Sequence, residues 1–277
     1  MRNRLVGLGD WMKTVAIFIL NLLRKCHVDQ VLERAASLTY RVLLAFFPFL
    51  IFLMALLGFT QFSSSAVLAP IYYILPGDVD ILVADFLHGL EQTRSGGLLS
   101  TALFFSVYNS SNGFRAIIHS TNKAYGANHS RGMVKQVALS LALMILFASS
   151  ILVLLVLLVL GRQIWDLFIP EALNVLFAPL NLAVAIVAVS FATMLIYKLA
   201  APIKLRFLQV MPGAIFTVVA WAVASWVFSF FMTNFTQLPA IYGSIAGVFI
   251  LILWLNLITV ILLIGNELNA LLVTERA

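Results

Sequence analysis

Residues 207–266 read FLQVMPGAIFTVVAWAVASWVFSFFMTNFTQLPAIYGSIAGVFILILWLNLITVILLIGN, and these 60 consecutive residues include no charged side chain. A helix that crosses the hydrocarbon core of a bilayer needs about 20 mostly apolar residues, because no water is present there to pair its backbone groups. The stretch is therefore long enough for two crossings. A turn-forming segment, TNFTQLP at 233–239, lies near its middle. The sequence predicts two membrane helices here, at about 208–232 and 241–266.

Four further windows without charge precede this stretch, at 42–77, 95–114, 136–161 and 172–197. They predict membrane helices at about 35–59, 97–118, 136–160 and 174–198. The second window is the shortest and the most polar of the four. We expect an all-α integral membrane protein with a six-transmembrane-helix bundle over 35–270, preceded by an N-terminal segment, 1–34, and followed by a short tail, 271–277.

The overall composition supports the same class. Hydrophobic residues make up 62% of the 277 positions and charged residues 10%, against about 45–50% and about 25% in soluble domains. Such a chain has too little polar surface to coat a water-soluble globule. Its single cysteine, Cys26, excludes an internal disulfide.

The distribution of charge tests the number of crossings independently, because short cytoplasmic loops collect Lys and Arg. With six spans and a cytoplasmic N-terminus, 15 of the 17 basic residues fall on the cytoplasmic side and only Arg94 and Arg162 fall outside. Omitting the second span would place the basic run after Phe114 outside, against the rule. The sequence therefore predicts a multi-pass protein of the cell (inner) membrane with both termini in the cytoplasm.

The N-terminal segment has a helical pattern of its own. Its apolar residues recur at helical spacing, whereas its polar residues lie mostly off that face; the apolar set is Trp11, Val15, Phe18, Ile19 and Leu22. Two interpretations stay open: an amphipathic helix that lies in the membrane interface, or a short helix packed on the bundle.

A polar stripe in the second span is the strongest candidate for a functional site. Its members recur every three or four residues and so share one helical face: Ser106, Asn109, Asn112, Arg115, His119 and Lys123. Polar groups at membrane depth usually face the bundle interior or a wet cavity. The stripe either lines a cavity for a substrate or only bonds neighbouring helices, at about 0.6 kcal/mol for each bond.

Other residues suggest structural roles. Gly243 and Gly247 form a GxxxG pair, which is typical of close helix contacts, and Pro48 is expected to bend the first span. Two ionisable residues, Arg41 and Glu267, lie close to the predicted membrane core. We expect Arg41 to extend toward the interface and Glu267 to need a partner, with Arg41 and Arg115 as candidates.

Catalytic chemistry finds little support in the sequence. The four histidines show no metal-ligand spacing, and no nucleophile–base pattern or phosphate-binding glycine loop is visible. We therefore expect no catalytic residues, no metal and no cofactor, and we expect the chain not to be an enzyme.

Several motifs together resemble the YihY/virulence factor BrkB family. They begin with AASLTYRVLLAFFPFLIFLMALLG at 35–58, which includes Tyr40 and Pro48, and continue through nearly the whole chain: Asn122, Lys123 and Tyr125; VMPGAIF with Pro212 and Gly213; YGS at 242–244, which includes Tyr242; Trp254; and GNELNALL with Gly265, Glu267 and Asn269. The segment FSVY at 105–108 departs from the family pattern, in which a Trp is expected.

The resemblance implies a six-helix bacterial inner-membrane protein that is linked to envelope integrity and to phospholipid movement. Membrane lipids, including anionic phospholipids, and envelope proteins are the partners that it suggests; nucleic acid is not among them. The alternatives are an ion or small-solute transporter or channel and a structural membrane partner without transport activity. The family has also carried a ribonuclease label, for which the basic cytoplasmic face is the only support here.

Overall fold

The computed structural model describes residues 2–58, 96–127, 132–168, 177–235 and 244–274. These residues form seven α-helices and, within the described ranges, no strand. The helices are α1 (Arg2–Val28), α2 (Val31–Gly58), α3 (Gly96–Ala124), α4 (Met133–Phe168), α5 (Phe177–Ala200), α6 (Phe207–Phe235) and α7 (Ser244–Thr274). The all-helical prediction is confirmed. In sequence, α2 to α7 overlap the six stretches that were predicted as spans.

The helices pack in a connected set around α2, α3 and α7. Helix α3 lies between α2 and α4, while α7 packs against both α2 and α6, and α5 contacts α4 and α6. The buried core joins residues from most of these elements, including Leu38, Ile118, Leu143, Tyr197 and Leu263. Helix α1 packs on α7 and α2, at the end of the bundle where α2 begins and α3 and α7 end; we call this the α1 end.

Four helices of the described chain are long and apolar enough to cross a membrane. The qualifying segments are Met133–Ser150, Leu180–Ala200, Phe207–Met232 and Ala246–Thr274. Helices α2 and α3 have 28 and 29 residues, or about 42 Å at 1.5 Å per residue, and α3 has the more polar sequence of the two. Large apolar side chains such as Leu182, Val187 and Trp226 are exposed on the outer surface, as expected where lipid is the solvent.

Helices α6 and α7 approach each other closely at Gly213 and Gly265. A Cβ atom on Gly265 would collide with the Thr217 hydroxyl, and one on Gly213 would collide with the Gly265 carbonyl oxygen. Only glycine leaves room for two backbones at such a distance. Of the predicted GxxxG pair, Gly247 is buried, whereas Gly243 lies outside the described residues.

Polar contacts fix the same pair of helices. The Asn269 side chain accepts a hydrogen bond from the Gly213 N–H at 2.7 Å and donates one to the Val210 carbonyl at 3.0 Å. These bonds flank Pro212, which lies inside α6 and, like Pro48 in α2, cannot donate a backbone hydrogen bond. The Tyr197 hydroxyl, fully buried, donates to the Leu262 carbonyl at 2.7 Å and so joins α5 to α7.

Candidate functional site

A buried ion-pair cluster lies at the α1 end of the bundle. Its centre is Glu267 of α7, whose side chain is 1% exposed. Its carboxylate lies 3.1 Å from an Arg34 nitrogen and 3.3 Å from the Lys25 amine. Lys25 also lies 3.1 Å from Asp29. A buried carboxylate needs partners of this kind, because an unpaired charge in a protein interior is costly.

The same cations bind backbone oxygens of α3. The Arg34 guanidinium donates to the Ser120 carbonyl at 2.9 Å, and the Lys25 amine donates to the Ala124 carbonyl at 2.7 Å. Ala124 is the last residue of α3, where carbonyl groups lack partners within the helix and the helix dipole attracts cations. The cluster therefore connects α1, α2, α3 and α7 at one point.

Two further groups border this cluster. Burial, and secondly the Glu267 carboxylate, raise the pKa of the Cys26 thiol to about 11. The same two causes raise the pKa of the Tyr125 phenol above its usual value. Both groups therefore stay protonated near neutral pH, so Cys26 lacks the thiolate character of a reactive cysteine.

Beside the cluster is a basic cavity of about 230 Å³ between α2, α3 and α4. We call it the arginine cavity. Three arginines and a histidine line it together with small and polar residues: Arg34, Ser37, Arg41, Arg115, Ala116, His119, Ser120 and Gln136. No carboxylate is among its lining residues. The sequence places these cations together, because residues at i, i+3 and i+7 of α2 and at i and i+4 of α3 share a helical face.

The predicted polar stripe of α3 has two parts: Arg115, His119 and Lys123 lie toward the α1 end, and Ser106, Asn109 and Asn112 precede them in the helix. Arg115 and His119 line the arginine cavity, and the Lys123 amine donates to the Gln30 side chain at 3.0 Å. Asn109 and Asn112 are half-buried, while the Ser106 side chain lies outside what the structure describes. A neighbouring face of α3 carries a direct helix contact, since the Ser111 and Ser140 hydroxyls lie 2.9 Å apart.

The family-motif residues occupy different places. Gly213, Gly265, Glu267 and Asn269 are buried at contacts between helices, whereas Tyr40 and Pro212 are exposed on the protein surface. Tyr242 lies outside the described residues. Arg41 lines the arginine cavity.

Sequence reasoning did not identify several residues of the site. Arg34 and Lys25, rather than Arg41 or Arg115, are the partners of Glu267, and Ser37 and Gln136 complete the cavity wall. The spacing of Arg34, Ser37 and Arg41 could have revealed the α2 wall, because it follows the helical period. Within the described ranges, no group of three or more His, Cys, Asp and Glu residues is arranged to hold a metal ion.

Comparison with known proteins gives consistent results. The sequence pattern of the family described as Virulence factor BrkB matches residues 22–277. The putative ribonuclease-like protein YfkH of Bacillus subtilis (strain 168) is 32% identical over 265 residues, which cover 92% of this chain and 94% of that protein. No solved structure matches the chain.

Two further relatives are named only as membrane proteins. A UPF0761 membrane protein of Neisseria meningitidis serogroup B is 26% identical over 275 residues. The match covers 97% of this chain and 66% of that protein. A UPF0761 membrane protein of Xanthomonas campestris pv. campestris (strain B100) is 34% identical over 74 residues, 27% of this chain and 17% of that protein.

Proposed function

Because the chain belongs to the virulence factor BrkB family of membrane proteins, we propose that it is a bacterial inner-membrane protein that binds anionic phospholipid headgroups and moves the lipid between leaflets. In this proposal the activity supports the integrity of the envelope. The membrane lipid is both the solvent of the protein and its substrate.

The arginine cavity is the observation that carries this proposal. Arg34, Arg41 and Arg115 converge there without a lining carboxylate. Guanidinium groups bind phosphate oxygens through paired, charge-assisted hydrogen bonds. A basic pocket between membrane helices is a typical binding site for phospholipid headgroups.

The placement of charge supports a cytoplasmic entrance. The described cations Lys123, Lys135, Lys198 and Arg206 belong to the same ends of the helices as the cavity. With all of α2 to α7 crossing the bilayer and both termini in the cytoplasm, these charges lie at the cytoplasmic leaflet, where each juxtamembrane Lys or Arg attracts anionic lipid by about 1 kcal/mol. Helix α1 then lies at that interface.

Helix α1 has the surface that such a position needs. Ile17, Leu20 and Leu23 are exposed, and the helix is tied to the bundle through Lys25. Buried apolar side chains and adjacent basic groups hold interfacial helices at an anionic membrane surface. The proposal thus makes α1 an element that lies along the membrane rather than across it.

A second candidate function is an ion-coupled carrier of small solutes. Glu267 favours it, because an ionisable residue buried within a membrane helix is a common element of ion and proton pathways.

The name of the Bacillus subtilis relative contains "ribonuclease-like". In our proposal this chain is not an enzyme, and incubation of the purified protein with RNA provides the check.

The experiment uses purified protein in liposomes and follows transbilayer movement of a labelled phosphatidylglycerol. We expect faster movement than in empty liposomes and a loss of that acceleration in the Arg115→Ala, Asn112→Leu variant. Lys204→Ala is the matched control, because Lys204 is an exposed cation outside the cavity lining.

Gradients separate the two candidates. Movement of lipid without any gradient supports the lipid function. If no lipid moves with or without proton and sodium gradients, the lipid proposal is wrong, and solute uptake driven by a gradient in the same liposomes would then favour the carrier.

A further inference from the structure

The arginine cavity contains more positive charge than its protein partners neutralise. Arg34 is paired with Glu267, whereas Arg41 and Arg115 form no ion pair with any carboxylate in the part of the chain that the structure describes. The Glu267 charge is also shared with Lys25. The two cations on facing walls of the cavity therefore lack a counter-charge from the protein.

Unused hydrogen-bond donors point to the same place. The Nε atoms of Arg34 and Arg115 are buried and have no hydrogen-bond partner in the described structure. A buried donor without a partner carries a desolvation penalty, which an acceptor bound in the cavity would remove. Two residues that line the cavity thus have an unused hydrogen-bond donor that could bind an anion.

The balance of charge indicates which kind of anion fits. The cavity and the adjoining cluster contain Lys25, Arg34, Arg41 and Arg115 against Asp29 and Glu267. Four basic and two acidic side chains leave a net charge of +2, without counting His119. A phosphodiester headgroup has one negative charge on its phosphate, whereas a phosphomonoester has about −1.5 to −2 at neutral pH.

The size of the cavity limits how much of a molecule it admits. Its volume is about 230 Å³, below the range of about 300–1,000 Å³ that is typical of pockets for drug-sized ligands. It has room for a phosphate and the few atoms next to it, and acyl chains would lie outside it. His119 is exposed, so the cavity reaches the protein surface beside that residue.

We infer that the arginine cavity is a binding site for a phosphomonoester, a terminal phosphate with two negative charges, held by Arg34, Arg41 and Arg115. The inference rests on the proposed lipid function and narrows its substrate class: phosphatidic acid is bound in preference to phosphatidylglycerol. The same chemistry is present in soluble phosphomonoesters, so the source of the phosphate has to be tested separately.

Binding is measured on the purified full-length chain in detergent, by native mass spectrometry or by thermal stabilisation. The probes are phosphatidic acid, phosphatidylglycerol with matched acyl chains, glycerol 3-phosphate and inorganic phosphate. We expect phosphatidic acid to bind about tenfold or more tightly than phosphatidylglycerol, because the second charge adds a charge-assisted hydrogen bond. Arg41→Gln and Arg115→Gln should each abolish the preference, whereas Lys204→Gln should keep it.

Both substitutions are expected to leave the fold intact, because neither the Arg41 nor the Arg115 side chain forms an ion pair with a carboxylate in the described part of the chain. Each variant is first compared with the unaltered protein by gel filtration and circular dichroism. A variant with the same elution volume and circular dichroism spectrum as the unaltered protein, but without the preference for phosphatidic acid, supports the site.

Other outcomes separate this inference from the proposed function. Equal affinity for the two lipids, with phosphatidylglycerol still moved in liposomes, overturns the phosphomonoester site and leaves lipid movement standing. If glycerol 3-phosphate or inorganic phosphate binds but neither lipid does, the phosphomonoester chemistry is supported and a lipid as the source of the phosphate is ruled out. Binding of no probe overturns the site.

Discussion

The Glu267 carboxylate lies 3.1 Å from the Arg34 guanidinium, although 233 residues separate them in the chain. Arg34 lies in the first turn of α2 and Glu267 lies near the end of α7. Arg34 also lines the arginine cavity, so one side chain contacts both the buried ion-pair cluster and the candidate ligand site. The two features are therefore parts of one polar region at the α1 end.

Glu267→Gln is expected to destabilise the protein strongly. The substitution removes the negative charge from a buried cluster and leaves Arg34 and Lys25 without it, and breaking such a pair from one side costs about 3–5 kcal/mol. Thermal unfolding in detergent, followed by circular dichroism, measures the effect. Glu33→Gln is the matched control, because Glu33 is exposed; equal midpoints for the two variants would contradict a structural role of the cluster.

Gly265→Ala is expected to lower stability by about 1–3 kcal/mol, the usual cost of overpacking a filled interior. The added methyl group would collide with the Thr217 hydroxyl and approach the Tyr197 hydroxyl. Gly113→Ala is the control, because a Cβ atom there meets no atom within 4 Å and alanine favours a helix. The same thermal unfolding applies, and an unchanged midpoint for Gly265→Ala would show that α6 and α7 do not pack this closely.

The helices could be predicted from the sequence because each depends on a local pattern. Uncharged windows give the helix cores, but the structure extends several of them: α4 continues to Phe168 and α7 to Thr274, past the ends of the predicted spans. Charged residues such as Arg162 and Glu267 are compatible with a helix and only mark where its apolar part ends. Loss of hydrophobicity is therefore a poor guide to a helix terminus.

Contacts between segments that are distant in the chain could not be predicted from the sequence patterns. The GxxxG pattern singled out Gly243 and Gly247 by their spacing, yet the close approach in the structure joins Gly213 to Gly265, which belong to different helices. Likewise, the need of Glu267 for a partner follows from its burial in an apolar helix, whereas the choice of Arg34 depends on how α2 packs against α7. Spacing along one helix defines a face, and only the packing decides which face it meets.

The orientation of the chain can be tested with single cysteines after Cys26→Ser. Residues 95 and 130 lie outside the described residues and flank α3, so a cysteine at Ser95 should label from outside the cell and one at Ser130 from the cytoplasm. The reason is that positive charge is retained in cytoplasmic loops. An impermeant maleimide applied to intact cells and to inverted vesicles provides the measurement. Labelling of both positions from one side would mean that α3 does not cross the membrane.

The natural cysteine is expected to react slowly with iodoacetamide at neutral pH. Only the thiolate attacks, and burial together with Glu267 raises the pKa of Cys26 to about 11. The rate should therefore rise about tenfold for each pH unit between pH 8 and pH 10. A cysteine at the exposed position Glu33, in the Cys26→Ser background, should instead level off near the ordinary thiol pKa of about 8.5. A plateau near that value for Cys26 itself would contradict its buried environment.

The polar stripe of α3 is expected to face a hydrated space, whereas another face of the same helix meets lipid. Asn109 and Asn112 are half-buried, but Phe104 is 67% exposed and stacks on Tyr108 with ring centroids 6.5 Å apart, which is the surface expected toward acyl chains. Single cysteines at 109 and 112 should therefore react with a charged, water-soluble thiol reagent, and one at 104 should not. The three positions lie on one helix within nine residues, so a difference in rate reports the face and not the depth alone. Inertness at all three would mean that the amides only bond neighbouring helices, and reaction at all three would place this part of α3 in water.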